Sequence, residues 1–489
     1  MSDTGVTVKK NEDFSEWYTQ VILKSELADY APVKGCMIFR ESSYAIWEKI
    51  QEIFNKKIKA TGHKNVYFPL FIPESFLKKE AAHFSGFTPE VAWVTQGGDT
   101  PLEEKLAIRP TSETIMCATY AKWVRSWRDL PIKLNQWCSV VRWETKATKL
   151  FLRTREFLWQ EGHTAHATKE EADQEVMEIL NAYRDVMESY LAIPVLTGVK
   201  TEMEKFAGAL YTTTLEAMMP DGKALQMGTS HQLGQNFSKA FGIKFLDQQE
   251  KEQNVWQTSW GFSTRIIGAL VMLHGDDKGL VLPPKIAPIQ AVIVPIPYKG
   301  AEAELIVTKT KEIHEKLQKN GVSVILDDRP EHTPGWKFNE WELKGVPIRI
   351  EIGPRDVKQE QAVLVRRDTS QKIVTKEEEI TDAVSKLLDD IQSSLLSKAK
   401  RFLEENTTSV KTFEEFKQVL ESKGGFIKAN WCNHTTDSMR ERETVCKMRI
   451  LREGSKRNCL LRALILVEQA KIYSCFLNQT ASRACLTVQ

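Results

Sequence analysis

Apolar residues recur at helical spacing through residues 44–60, where Ile46, Trp47, Ile50, Ile53 and Phe54 fall on one side and Lys56, Lys57 and Lys59 load the last turn. The pattern then switches to a short aromatic and β-branched run, Asn65-Val66-Tyr67-Phe68-Pro69, which predicts a strand ending at proline. Leu106-Ala107-Ile108 predicts another strand, followed by a helix after Glu113. Val140–Glu144 and Phe151–His163 predict two strands of an antiparallel hairpin with a short loop that carries Lys146 and Lys149. Residues 167–225 hold a helical segment and a turn. Gln226–His231 reads as a small-residue turn, and Trp260–Gly268 runs into an apolar helix with Arg265 near its start.

From Pro284 the pattern changes. Ile289–Ile296, Val322–Leu326 and Gly345–Ile352 are apolar runs suited to buried strands, and helical patterns follow over about 301–318 and 381–395. Strands alternating with helices predict a parallel α/β unit. The chain divides accordingly into a block over 14–283, a unit over 284–400 and a tail over 401–489.

Composition narrows the function classes. The 489 residues suggest about three domains. Lys+Arg 67 against Asp+Glu 65 leaves +2, so any nucleic-acid binding rests on local patches rather than overall charge. No run of about 18 apolar residues occurs, so no membrane span is expected. The charged start lacks the apolar stretch of a signal peptide. Eight scattered cysteines without a CxxC argue against a disulfide framework. A cytoplasmic enzyme is the expectation.

The densest chemistry lies in Arg142-Trp143-Glu144 and Phe157-Leu158-Trp159-Gln160-Glu161-Gly162-His163. Arg142 and Glu144, two apart on a strand, face the same side. Arginine suits phosphate and glutamate suits an amino group, although a salt-bridged surface ladder has the same spacing. Arg109-Pro110-Thr111-Ser112-Glu113 precedes a helix and also fits plain N-capping. Gly228-Thr229-Ser230-His231 carries an imidazole that a structural role would explain equally well. Arg265 could reach phosphate or form an ordinary ion pair.

In this order the segments resemble the three signature motifs of class II aminoacyl-tRNA synthetases: Gly62–Pro69 the first, Arg142 through Glu161 the second, Gly261–Arg265 the third. Finer matches at Arg109–Glu113, Phe157–His163, Gly228–His231, Pro334-Gly335-Trp336-Lys337-Phe338, Trp341–Pro347 and Gly353–Asp356 are similar to the prolyl-tRNA synthetase family of the eukaryotic/archaeal type, over about residues 14–430. The resemblance implies an α+β catalytic domain with an antiparallel-sheet core, then an α/β anticodon-binding domain, then a small C-terminal domain. It implies a ligase that activates L-proline with ATP and charges tRNA(Pro), as a homodimer formed through Tyr44–Pro69. No DNA partner and no inserted editing domain are expected.

By the same resemblance Arg142 and Arg265 are the catalytic arginines. Thr111, Glu113, Arg142, His231, Phe87, Trp159 and Phe206 are expected around proline. Arg142, Glu144, Arg153, Thr154, Gln226, Thr229, Ser263 and Arg265 are expected around ATP, with Gln226 also near Mg²⁺. Glu342, Arg349 and Arg355 are expected to read the anticodon, because arginine offers two parallel donors to guanine and glutamate accepts from its amino group. The competing reading is a non-catalytic tRNA-binding or regulatory protein derived from a synthetase. Such a protein would have lost the phosphate arginines, and both stand here.

The resemblance fails in the tail. Relatives of this type usually carry four zinc-ligating cysteines there. After Cys432 the next ligand position holds Asp437, and Cys446, Cys459, Cys475 and Cys485 form no close pair. Tetrahedral zinc wants ligands from tight turns of C-x₂₋₄-C type. No zinc is therefore expected, and residues 433–489 are expected to be poorly packed or helical, arising from a divergent tail or a changed reading frame.

Overall fold

The computed structural model describes residues 5–83, 90–143, 147–202, 204–296, 301–422, 425–431, 448–453 and 461–467. The amphipathic stretch around Trp47 forms the helix Glu41–Ala60. Its buried stripe of Ile46, Trp47, Ile50, Phe54 and Ile58 joins one core with Tyr183 of helix Lys169–Asp185 and Leu270 of helix Arg265–His274. Burying each such side chain contributes about 1.5–3 kcal/mol. The 265–274 helix is apolar on nearly every side, and it is covered accordingly.

These helices pack on a sheet whose centre is antiparallel. Its spatial order is Leu196–Lys200, Tyr211–Met218, Ala224–Gly234, Trp256–Ser263, Glu156–His166 and Ile132–Val141. Successive side chains of each strand leave by opposite faces. One face feeds an aromatic cluster in which Phe262 meets Trp47, Phe54, Trp137 and Tyr183 edge-on, with centroids 5.1–6.0 Å apart. The other face is where the polar motifs lie. A buried chain of polar contacts, His63 to Glu175 at 2.7 Å and Glu175 to Lys133 at 2.7 Å, ties the end of helix Glu41–Ala60 to the sheet.

Several expectations are corrected here. The 65–69 run is not a strand: only Lys64–Asn65 pairs, parallel to Leu134–Asn135, and after Val66, whose N–H still donates to the Asn135 carbonyl at 2.8 Å, the chain leaves the sheet. Phe68 and Tyr67 turn instead toward Arg109, which donates to the Phe68 carbonyl at 2.7 Å and lies over the Tyr67 ring. Gln226–His231 is no turn but the middle of strand Ala224–Gly234, which pairs with Tyr211–Met218 along its length and, from Thr229 on, with Trp256–Ser263 as well. The hairpin strands are Ile132–Val141 and Glu156–His166, so the connection is longer than the lysine-bearing loop predicted. Residues 167–225 add the strands Leu196–Lys200 and Tyr211–Met218 to the helix Lys169–Asp185.

The second unit carries a five-stranded sheet in the order Val324–Leu326, Ala291–Pro295, Ile348–Ile352, Gln361–Arg366, Lys372–Lys376. The first three strands are parallel, as predicted. Gln361–Arg366 pairs antiparallel with both of its neighbours and makes the sheet mixed; it is reached from Ile348–Ile352 through the short helix Pro354–Lys358 and left by a tight turn at 367–371. Helices Ala301–Lys319 and Ile380–Glu405 flank it.

The two units meet closely. Arg367 grips Asp276 with both amino groups, at 2.8 and 2.6 Å, and donates from Nε to the Glu342 carbonyl at 2.7 Å. Leu280 donates to the Leu343 carbonyl at 3.0 Å. Gly345 stands at φ +73°, and a Cβ there would lie 2.5 Å from that of Leu280. Glycine alone fits both demands.

The tail also differs from expectation. Met448–Glu453 and Leu461–Val467 are strands, paired with each other, with Phe426–Trp431 and, through Leu451–Arg452, with Val199–Lys200. The open edge of strand Leu196–Lys200 and the run Ala463-Leu464-Ile465-Leu466-Val467 explain why strand pairing wins over helix. The zinc expectation falls on Cys432, Cys446, Cys459, Cys475 and Cys485, which lie outside the described residues.

Candidate active site

Strand alternation builds a cavity of about 420 Å³ over the polar face of the sheet. Phe157, Trp159, Glu161 and His163 reach it from every second position of one strand. Thr229 and His231 do so from the next but one, Ser263 from the end of the strand between, and Arg265 from the start of the helix that follows it. The turn before helix Glu113–Trp123 supplies Thr111 and Glu113.

The two arginines are oriented in the same way. Arg142 follows the end of strand Ile132–Val141, donates from Nε to the Pro110 carbonyl at 3.2 Å, and lies 5.4 and 5.5 Å from the Phe157 and Trp159 ring centres. Arg265 opens its helix, and its Nε donates to the Leu152 carbonyl at 3.1 Å. A guanidinium anchored at Nε loses little further freedom on meeting an anion.

Around Glu113 the polar groups are buried and most are bonded, the Thr114 hydroxyl excepted. Thr111 donates to Glu113, and Ser112 donates from its backbone to Glu161 at 3.1 Å and from its hydroxyl at 2.5 Å. Ser112 occupies the helix N-cap position, yet its side chain makes no capping bond, so the plain capping alternative fails. His163 donates from Nε2 to Glu161 at 3.1 Å. Burial opposes charge on both, but that bond and the mutual attraction win, drawing Glu161 down and His163 up from their ordinary values. Glu113, Glu161 and His163 bring ligand atoms within 4.8 Å of one another, but the carboxylates already accept from hydroxyl, amide and imidazole donors.

His231 takes the opposite character. Burial first, then the Lys200 and His163 charges, push its pKa down to about 3. As a neutral ring it bonds Thr212 at 2.9 Å and Thr229 at 3.0 Å, with Phe206 tilted against it at 4.8 Å. Gln226 accepts from Lys200 at 2.5 Å. Cys138 lies behind Trp159, accepting from its indole at 3.3 Å, and burial pushes the thiol up to about 12.

The cavity thus gathers Thr111, Glu113, Arg142, Trp159, Phe206, Gln226, Thr229, His231, Ser263 and Arg265. It does not gather Arg153, an exposed residue whose backbone pairs with that of Lys149, or Thr154, whose buried hydroxyl donates to the Glu156 carbonyl at 2.7 Å. Phe87 and Glu144 lie outside the described residues. Sequence reasoning placed Glu161 and His163 in its densest motif without giving them a role, and it missed Lys200. For the first two the signal was present, since the Trp159-x-Glu161-x-His163 alternation puts all three on one strand face.

In the second unit a small cleft holds Glu342 and Arg349 beside Trp341 and Arg366. Arg349 makes two bonds to Glu351, at 3.0 and 2.9 Å, and lies 4.2 Å over the Phe338 ring. Glu342 pairs with Lys278 at 2.9 Å. Arg355 stands apart, exposed on the short helix Pro354–Lys358.

Comparison with known proteins agrees with this architecture. Residues 93–274 match the tRNA synthetase class II core domain (G, H, P, S and T), and residues 290–387 match an anticodon binding domain. A proline–tRNA ligase of Natranaerobius thermophilus is 56% identical over 443 residues, covering 90% of this chain and 91% of its own. One from Alkaliphilus oremlandii is 57% identical over 420 residues, covering 86% of each chain. Proline–tRNA ligase 2 of Clostridioides difficile is 56% identical over 424 residues, covering 87% of each. With the antiparallel core, the arginine-flanked cavity and likeness over nearly the whole length, this chain belongs to the proline–tRNA ligase family of class II synthetases.

Proposed function

We infer that the chain joins L-proline to the 3′ end of tRNA(Pro) in two steps. In the first, a proline carboxylate oxygen bonds to the α-phosphorus of ATP and pyrophosphate leaves. In the second, a terminal tRNA hydroxyl bonds to the prolyl carbonyl carbon and AMP leaves. The observation that carries this reading is a single cavity holding a buried carboxylate between aromatic walls together with two Nε-anchored arginines.

Glu113 with Thr111 suits the secondary ammonium of proline, which offers two donors and one charge. Trp159 and Phe206 are flat apolar walls for a pyrrolidine ring, and neutral His231 adds a surface that does not repel the ammonium. Arg142 suits both the substrate carboxylate and the α-phosphate, and Arg265 the far end of the triphosphate. Gln226, Thr229 and Ser263 line the remaining wall. Arg153 and Glu144 stay in the ATP set on the family resemblance alone. Gln226 Oε1 already accepts from the Lys200 ammonium, whose charge opposes a second cation at this oxygen, so a Mg²⁺ accompanying ATP would be held by phosphate oxygens and water, with Gln226 nearby and not as a ligand. That ion would offset charge on the leaving pyrophosphate.

The domain bounds 14–283, 284–400 and 401–489, the base-reading roles of Glu342, Arg349 and Arg355, and a cytoplasmic site of action belong to the same reading. So does a homodimer, supported by the exposed aromatics Tyr67, Phe71, Trp93 and Trp123 around the end of the sheet. Light scattering on the intact chain tests the dimer, and a stable active monomer refutes it. Proline-dependent ATP–pyrophosphate exchange tests the activity. Folded protein that exchanges with no amino acid supports the non-catalytic alternative.

A further inference from the structure

Glu161 is a buried carboxylate that accepts four hydrogen bonds from the protein itself. It is 1% exposed, on the strand Glu156–His166 opposite Gln136. Its oxygens accept from Ser112 N at 3.1 Å, Ser112 Oγ at 2.5 Å, Gln136 Nε2 at 3.1 Å and His163 Nε2 at 3.1 Å. Thr111 Oγ1 and Cys138 Sγ approach at 3.4 and 3.6 Å. A carboxylate has about four lone-pair directions, and here protein donors take them all. Glu161 therefore has no oxygen left for an incoming cation, although it lines the same cavity as Glu113.

The donors come from three elements and converge on the turn that carries Thr111 and Glu113. Ser112 links that turn to Glu161 twice, through backbone and hydroxyl, where a helix start would ordinarily use the hydroxyl as its own cap. We propose that Glu161 is the positioning residue of the amino-acid half of the site: it fixes Ser112, so that Thr111 and Glu113 are held toward the substrate ammonium, and it holds His163 beside them. The two carboxylates divide the work. Glu161 is consumed by the protein, and Glu113, whose side chain among the described residues accepts from Thr111 alone, faces the substrate. This rests on the reading of the cavity as a proline site.

The test measures ATP–pyrophosphate exchange of the full chain with proline and with ATP varied separately. Glu161→Gln keeps the shape but sets an amide NH₂ against donors. It should raise the proline KM by about ten-fold or more while the ATP KM moves less than about two-fold. Ser112→Ala should move the proline KM in the same direction, and the double variant should lose less than the product of the single losses, because both act through one link. Proline KM within about two-fold of the parent in Glu161→Gln, or proline and ATP KM rising together, overturns the proposal. If Glu161→Gln does not fold, Ser112→Ala decides alone: an unchanged proline KM overturns it. The functional reading fails separately, if the parent exchanges only with another amino acid, and the same KM split is then read on that substrate.

Discussion

The indole of Trp260 lies where a side chain of Gly162 would have to stand. The two residues are direct partners across neighbouring strands, and a Cβ built on Gly162 would come within 2.1 Å of the Trp260 ring. Trp260 in turn packs on Phe54 and Tyr183 and cannot retreat. Between Glu161 and His163, which face the cavity, the chain needs a residue without a side chain on the other face.

Gly162→Ala should therefore destabilise the fold by about 1–3 kcal/mol or more, the range for overpacking a close-packed core. Thermal unfolding of the variant measures the loss. A melting temperature equal to the parent's would mean that the sheet accommodates a methyl group at this position.

Arg142→Lys should abolish adenylate formation and leave the fold intact. Lysine keeps one charge but loses the planar fork and the Nε anchor on Pro110. A fall of about 10²-fold or more in exchange, with an unchanged unfolding midpoint, is expected. Exchange within a few-fold of the parent refutes the assignment.

Arg355→Ala should weaken charging of tRNA(Pro) while leaving proline activation nearly untouched, since this exposed side chain is no part of the cavity. Glu342→Ala should do the same, with some loss of stability because it also breaks the 2.9 Å pair with Lys278. Equal losses in exchange and charging would assign both residues to folding.

His274 gives the stability a pH dependence of definite sign. Burial first, then the charges of Lys10 and Lys398, lower its pKa to about 4, while its Nε2 donates to the Leu191 carbonyl at 2.9 Å. The unfolded chain takes up a proton near pH 6.5 that the folded chain refuses until about pH 4. Its contribution is complete above pH 6.5 and is lost as the pH falls through this window, by at most about 1.4 kcal/mol per pH unit. His166, also lowered to about 4, acts in the same direction. In urea titrations between pH 7 and 5, His274→Gln should flatten the slope; a variant with the parent's slope would remove His274 from the account.

Much of this protein is legible in its residue order. Helix Glu41–Ala60 and the strands around Ile293 and Ile350 follow from periodicity, because side-chain spacing and element geometry are the same local fact. The order of the short motifs carried the family. Arg142, Glu113 and His231, named from those motifs, all reach one cavity. Tertiary structure alone decided what depends on partners distant in sequence. Gln226–His231 looks like a turn because its small residues lack β propensity, and flanking strands overrule that weak preference. Ser112 looks like a helix cap until Glu161, 49 residues on, takes its hydroxyl. Glycine at 162 is explained only by an indole 98 positions away, since close packing joins residues that share no local pattern.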